Sequence, residues 1–331
     1  MLILGILVSI IAVVVPTTIW CLVIWWCDRY EREPLGLLVV AFFWGAVPAV
    51  VISLIAELVL DIPLNALAGG QMANLLGSGA IAPAVEEVTK GVALLGLFLL
   101  ARREFDDVLD GIVYGALVGF GFGMTENAVY FITILVHQGW GGWAAIVILR
   151  GLVFGLNHAF FTGITGAGLG IARVVRRPVV RWTVPPLALL LAIGFHAVHN
   201  LGASLVSITA LTLFVSLLAD WGGILLLMMI VLLAWRQEQR WITTQLADEV
   251  GTVLTAEEYE ALTSYGHRVR VWRRAIGRGG WARARAVAHF HHLATELAFR
   301  KQRLQTHGGN RVLRAEITHL RQQLQAQREK L

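Results

Sequence analysis

Apolar residues along most of this chain run in unbroken blocks, not in alternation with polar ones. A helix needs about 20 such residues to cross the hydrocarbon, where each backbone polar group must be satisfied within the segment. By that measure the pattern predicts seven spans, at about 2–26, 35–60, 79–100, 109–136, 143–171, 185–206 and 211–235. The run from Val184 to Ala219 scarcely breaks, and Asp220-Trp221-Gly222-Gly223 interrupts the last block, so an eighth span or a re-entrant hairpin stays open there. The expected fold is all-α, a polytopic transmembrane helical bundle of seven to eight spans.

After Trp235 the pattern turns amphipathic. Thr255 and Glu258 stand in capping-box spacing, and Gly277-Arg278-Gly279-Gly280 breaks the first run. Two further amphipathic runs follow at 281–304 and 311–331. We therefore expect two domains, a membrane domain over 1–235 and a basic helical C-terminal tail over 236–331. His289, His291 and His292 in the tail read as ordinary solvated helix faces, since no cysteine or acidic ligand pattern accompanies them.

Composition agrees. The 331 residues are 57% hydrophobic and 15% charged, against about 25% charged in soluble chains. The net charge of +5 is uneven: residues 1–235 hold 10 Lys+Arg against 13 Asp+Glu, and 236–331 hold 17 against 9. Arginines near the tail's start suit a bilayer of anionic lipid, and no nucleic-acid partner is expected. Cys21 and Cys27 both lie in the first block, which argues against a disulfide framework. Arginines fall on alternate connections (29 and 32; 102 and 103; 173, 176, 177 and 181; 236 and 240), while the others carry none. The positive-inside rule then puts the N-terminus outside and the tail in the cytoplasm. The first block lacks a positive leader and reads as a retained span.

Four blocks carry polar residues that a bilayer disfavours. They are Glu86, Glu87 and Lys90 in the third; Glu126 and Asn127 in the fourth; Asn157, His158 and Thr162 in the fifth; His196, His199 and Asn200 in the sixth. A charge at mid-bilayer costs at least about 2.5 kcal/mol, so each is a functional hypothesis. At about 1.5 Å per residue all four sets fall between the midplane and the outer third, a depth at which they can meet. Glu86 and Lys90 are i,i+4 and can pair; Glu87 points about 100° away, so one glutamate can face a cavity while the other is braced. Small-residue stripes at Gly115, Gly119 and Gly123, and at Gly151 and Gly155, allow close helix approach. His199, on a face adjacent to His196, reads as structural, and Asp106, Asp107 and Asp110 read as surface charge.

Glutamate with histidine suits activation of water for amide hydrolysis. A divalent metal held by histidine and carboxylate could supply the activated water. Alternatively, a buried glutamate could act as general base with histidine and asparagine stabilising the oxyanion. The H-E-x-x-H signature of soluble zinc proteases is absent.

The stretches "EEVTK" at 86–90, "FDDVLDGIVYGALVGFGFGMTENAVYF" at 105–131, "NHAFFTGITG" at 157–166 and "FHAVHN" at 195–200 resemble the successive motifs of the PrsW family. These are bacterial intramembrane proteases related to CAAX prenyl endopeptidases and bacteriocin-immunity proteins. The resemblance covers about residues 35–235. It implies that Glu86 and Glu87 are the paired glutamates, Phe122 and Glu126 the F-x-x-x-E motif, and His158 and His196, with Asn200, the histidine motifs. It further implies a hydrolase of the bacterial plasma membrane that cuts a membrane-anchored protein such as an anti-sigma factor.

On this reading Glu86 or Glu87 is the general base and Lys90 fixes a glutamate's charge. His158, His196 and Glu126 hold a divalent metal such as Zn2+, or act as oxyanion partners without one. Asn200 steadies the oxyanion. The rival readings are a proton-coupled transporter or channel with a Glu/His relay, and a catalytically inactive membrane scaffold. No internal repeat supports the transporter.

Overall fold

A computed structural model describes residues 2–68, 70–308, 311–329 and 331. Every regular element among them is helical: α1 (Leu2–Cys27), α2 (Leu35–Trp44), α3 (Val50–Ala68), α4 (Gly70–Leu76), α5 (Ala82–Leu100), α6 (Val108–Ile146), α7 (Asn157–Val174), α8 (Pro178–Ser204), α9 (Ala210–Leu246), α10 (Ala256–Leu262), α11 (Tyr265–His307) and α12 (Arg311–Arg328). Five helical stretches are long and apolar enough to cross a membrane: Ile3–Cys27, Leu35–Ala68, Val108–Val174, Pro178–Ser204 and Ala210–Glu249. α5 is 19 residues long, but Glu86, Glu87 and Lys90 interrupt its apolar run. Leu58, Ile62, Leu67, Trp182 and Leu187 lie exposed on the helices' outer faces, as side chains solvated by lipid would.

The chain divides into two compact units. The first comprises the residues up to Asp28 together with Glu33–Ile230. Its centre is the antiparallel pair α6 and α7. Gly139, inside α6 at φ +68°, kinks that helix and turns the chain back toward α7, a backbone angle that glycine adopts without a Cβ penalty. From that turn the two strands of helix stay in register: Arg150 binds Asn127, and His158 lies at Gly119, Thr162 at Gly115 and Gly166 at Gly111. A Cβ on Gly119 would sit 2.2 Å from the His158 carbonyl oxygen, so only glycine permits this approach. The small-residue stripe thus fixes how far Glu126 and His158 stand apart.

Three π-helical turns, at Gly45–Ala49, Gly77–Ile81 and Val147–Val153, interrupt the regular helices. Such turns recur next to functional sites, and here two of them adjoin ionisable side chains of the bundle. Gly77–Ile81 feeds directly into α5, and Val147–Val153 carries Arg150.

Several sequence expectations need correction. The tract 220–223 is no break: α9 is continuous from Ala210 to Leu246, and no re-entrant hairpin forms there. Asp220 is wholly buried with partners on α7 and α8, and Gly223 admits the Phe160 ring, which a Cβ would meet at 2.0 Å. Asp107 and Asp110 are buried, not surface charges. Asp107 caps α6 by accepting from Leu109 N and Asp110 N, while Asp110 accepts from the Asp107 amide, a reciprocal box that satisfies the orphan donors of the helix start.

The second unit comprises Arg29–Arg32 and Val231–Leu331. Its core joins Tyr30, Ile242, Leu246, Leu262, Leu297, Leu320 and Leu324. The capping box of Thr255 and Glu258 opens α10 as expected, and the glycines at 279 and 280 kink α11. His291 is buried, not solvated; burial, with Arg268 nearby, lowers its pKa to about 3. Glu249 joins Lys301 and Arg321 at the unit's centre, with Oε1 2.6 Å from each.

Candidate active site

The site begins in the N-terminal half of α5, where Lys90 has no exposed side-chain surface. Its ammonium donates to Glu87 Oε1 at 2.7 Å and Glu86 Oε2 at 3.1 Å. It also lies 3.2 Å from His158 Nδ1 and 3.8 Å from the centroid of the Phe122 ring. A buried ammonium is tolerable only with its protons matched to acceptors, and here two carboxylates, an imidazole and an aromatic face surround it.

The two glutamates differ. Glu87 is the more engaged: Oε1 also lies 3.1 Å from His196 Nδ1, and Oε2 accepts from Thr162 Oγ1 at 3.0 Å. Glu86 has Lys90 as its near partner, with His196 Nε2 3.8 Å away. It borders a cavity of about 690 Å³ whose wall includes Glu57, Asp61, Glu126, Arg150, His199 and Asn200. One carboxylate is therefore presented to the cavity, and the other is braced behind it.

His158 spans the site. Its Nε2 stands 2.6 Å from Glu126 Oε2, which lies 2.8 Å from Arg150 Nη2. A carboxylate on the far nitrogen orients an imidazole and sharpens the basicity of its other nitrogen. The rings of His158 and His196 lie 5.3 Å apart, nearly perpendicular, and Phe161 stacks on His196 at 4.8 Å.

One donor atom each from Glu86, Glu87, His158 and His196 lies within 4.8 Å of the others. Two carboxylates and two imidazoles are the donor types that divalent zinc takes. Lys90 bridges the two carboxylates. The donor set fits a metal in type and spacing. Glu126 stands outside this group, engaged with His158 and Arg150.

Sequence reasoning named Glu86, Glu87, Lys90, His158 and His196, and the fold brings all five together. Glu126 stands one step back, behind His158. Asn200 reaches the cavity wall, where its Nδ2 donates to the Ser78 carbonyl at 2.9 Å; the amide has a second proton to give. Arg150, Glu57, Asp61 and Asp220 went unnamed as site residues. The signal for Arg150 and Glu57 was present, since each is an ionisable residue inside an apolar block. That for Asp220 was masked by the glycines beside it.

Three bacterial proteins named Protease PrsW are similar to the chain. One from Bacillus subtilis (strain 168) is 35% identical over 146 residues, 44% of this chain and 60% of the relative. One from Clostridioides difficile (strain 630) is 34% identical over 106 residues, 32% of this chain and 43% of the relative. The third, from Geobacillus kaustophilus (strain HTA426), is 28% identical over 175 residues, 52% and 69%. The matched stretches thus leave much of these relatives' lengths unspanned. No solved structure matches the chain. The model of the PrsW family of intramembrane metalloproteases matches residues 33–249, which contain every residue of the carboxylate–imidazole group, and the chain belongs to that family.

Proposed function

We propose that this protein hydrolyses a peptide bond in a membrane-anchored protein, at a site within the apolar bundle. The observation that carries this reading is the meeting of Glu86, Glu87, His158 and His196 within 4.8 Å beside a large cavity. Amide hydrolysis needs a group to take water's proton and donors to hold the oxyanion. Glu86, which borders the cavity, is the general base. Glu87 holds His196, and Lys90 holds both carboxylates in place. His196 and the second Nδ2 proton of Asn200 are donors for the oxyanion.

Glu86, Glu87, His158 and His196 would hold a divalent metal, which supplies Lewis-acid polarisation and an acidified water when bound. Glu126 then orients His158. Without a metal, the same glutamate and histidines suffice for general base catalysis. The substrate class implied by the family is a membrane-bound anti-sigma factor.

We read seven crossings: α1, the continuous α2–α3, α5, α6, the segment through α7, α8 and α9. The arginines of alternate connections support an outside N-terminus and a cytoplasmic tail domain in a bacterial plasma membrane. The deciding experiment uses purified protein in detergent with fluorogenic single-span membrane substrates. Cleavage lost in Glu86→Ala, Glu87→Ala and His158→Ala and quenched by 1,10-phenanthroline establishes the metal mechanism. Cleavage lost in the variants but indifferent to chelator establishes the glutamate one. Variants that cut as well as the parent overturn the site.

A further inference from the structure

One buried polar cluster stands apart from the carboxylate–imidazole group and joins three helices. His199 on α8 points Nδ1 at Asp220 Oδ2 on α9, 2.8 Å away. Asn157 on α7 places Nδ2 2.9 Å from the same oxygen and 3.0 Å from His199 Nδ1. Ser216 Oγ lies 3.4 Å from that oxygen and 3.3 Å from the nitrogen. Asp220, Ser216 and Asn157 are buried. The ring itself is clamped edge-on by Phe154 at 4.8 Å.

Packing alone does not account for this. Burying a carboxylate is costly unless donors surround it, and an apolar trio would fill the space more cheaply. The arrangement does one specific thing. Asp220, Asn157 and Ser216 all meet the ring at Nδ1, which leaves Nε2 without a hydrogen-bond partner among the described residues. His199 also lines the cavity of about 690 Å³ that Glu86 borders. A carboxylate on Nδ1 that frees Nε2 toward a reacting group is how a histidine is prepared to pass a proton.

We propose that His199 is a further catalytic residue of this site, positioned by Asp220 and Asn157, whose Nε2 delivers a proton to the amine released in peptide cleavage. The inference rests on the protease reading above. Water adds its oxygen to the carbonyl carbon while Glu86 takes one of its protons. The C–N bond then breaks, and its electron pair takes the proton from His199 Nε2, giving a free amine and a carboxyl group. The proton on Glu86 passes to solvent in the cavity, and solvent returns one to Nε2, so no net proton is consumed. Asp220 and Asn157 touch no substrate and act only through the ring.

The test compares two single-span reporters of identical sequence, one with the scissile amide and one with an ester in its place. An alkoxide leaves with far less need of a proton than an amine does. His199→Gln is expected to slow the amide about 100-fold and the ester less than about 10-fold, with KM unchanged. Asp220→Asn is expected to follow the same pattern at smaller amplitude. Equal slowing of both reporters makes the cluster architectural and overturns the proposal, as does no slowing of either. Glu86→Gln run alongside separates the two ideas: if it still cuts both reporters, the protease site fails whatever His199 does. A second measurement needs no turnover. In protein with 15N-labelled histidine, the signal absent from His199→Gln should report a proton on Nδ1, and Asp220→Ala should shift it. A parent ring with no proton on Nδ1, unchanged by Asp220→Ala, overturns the proposal on its own.

Discussion

Glu249 and Glu86 are both carboxylates taken almost wholly out of solvent, and they are held in opposite ways. Glu249 is saturated: Lys301 and Arg321 both reach it. Burial alone would raise its pKa, but Arg321 and Lys301 hold it below the ordinary glutamate value. Glu86 shares a single ammonium with Glu87 and lies against a large cavity and two imidazoles. A saturated carboxylate has nothing left to offer a substrate. One whose partner is divided, beside open space, keeps a lone pair in reserve. Partner stoichiometry, more than burial, separates a charge that holds a fold together from one placed for reaction.

The sharpest way to break this contrast is to neutralise each carboxylate in turn. Glu86→Gln should lower cleavage about 10³-fold with little change in melting temperature, both read on one detergent preparation. Equal losses in stability would make Glu86 a structural charge like Glu249. Next in size is Gly119→Val, whose Cβ would meet the His158 carbonyl; it should cost about 3 kcal/mol and separate His158 from Glu86, lowering thermal stability and cleavage together. Glu249→Ala should destabilise the second unit by about 2 kcal/mol. That is less than the roughly 3–5 kcal/mol of a fully buried pair, because Arg321 is 40% exposed and solvent screens it. Hydrogen exchange in α11 and α12 reads this directly. The pH dependence follows with a definite sign. Because the folded pKa of Glu249 is depressed, its contribution is present above about pH 4.3, the ordinary glutamate value, and fades as pH falls through the folded value. Glu249→Gln should remove that acid sensitivity from the exchange profile. The smallest effect is Asp107→Ala, about 1 kcal/mol from the lost cap of α6, seen as faster exchange in its first turn.

The membrane blocks and the residues of the carboxylate–imidazole group were legible because they violate their surroundings: a glutamate in a run of leucine and valine signals itself. Their mutual distance was not legible, since it depends on the backbone approach that Gly111 and Gly119 permit, and a glycine in sequence does not reveal its partner. Which glutamate faces the cavity depended on where Thr162 lies, on a helix 75 residues away. Asp220 reads as part of a break because a charged residue followed by Trp-Gly-Gly has the local signature of a turn. Only the partners on α7 and α8 show it to be braced inside a straight helix. Asp107 and Asp110 read as surface charge in the sequence for a related reason. A capping carboxylate and an exposed one look alike until the helix start is buried.

The burial of Lys90 also makes it a clock. The chain has three lysines, and the other two, Lys301 and Lys330, lie more than 200 residues further along. An amine-reactive label cannot acylate an ammonium with no exposed surface unless the bundle parts around α5. The rate at which mass appears on the peptide containing residue 90, set against the immediate labelling of an exposed amine, therefore times how often the interior opens, with no substrate and no turnover required.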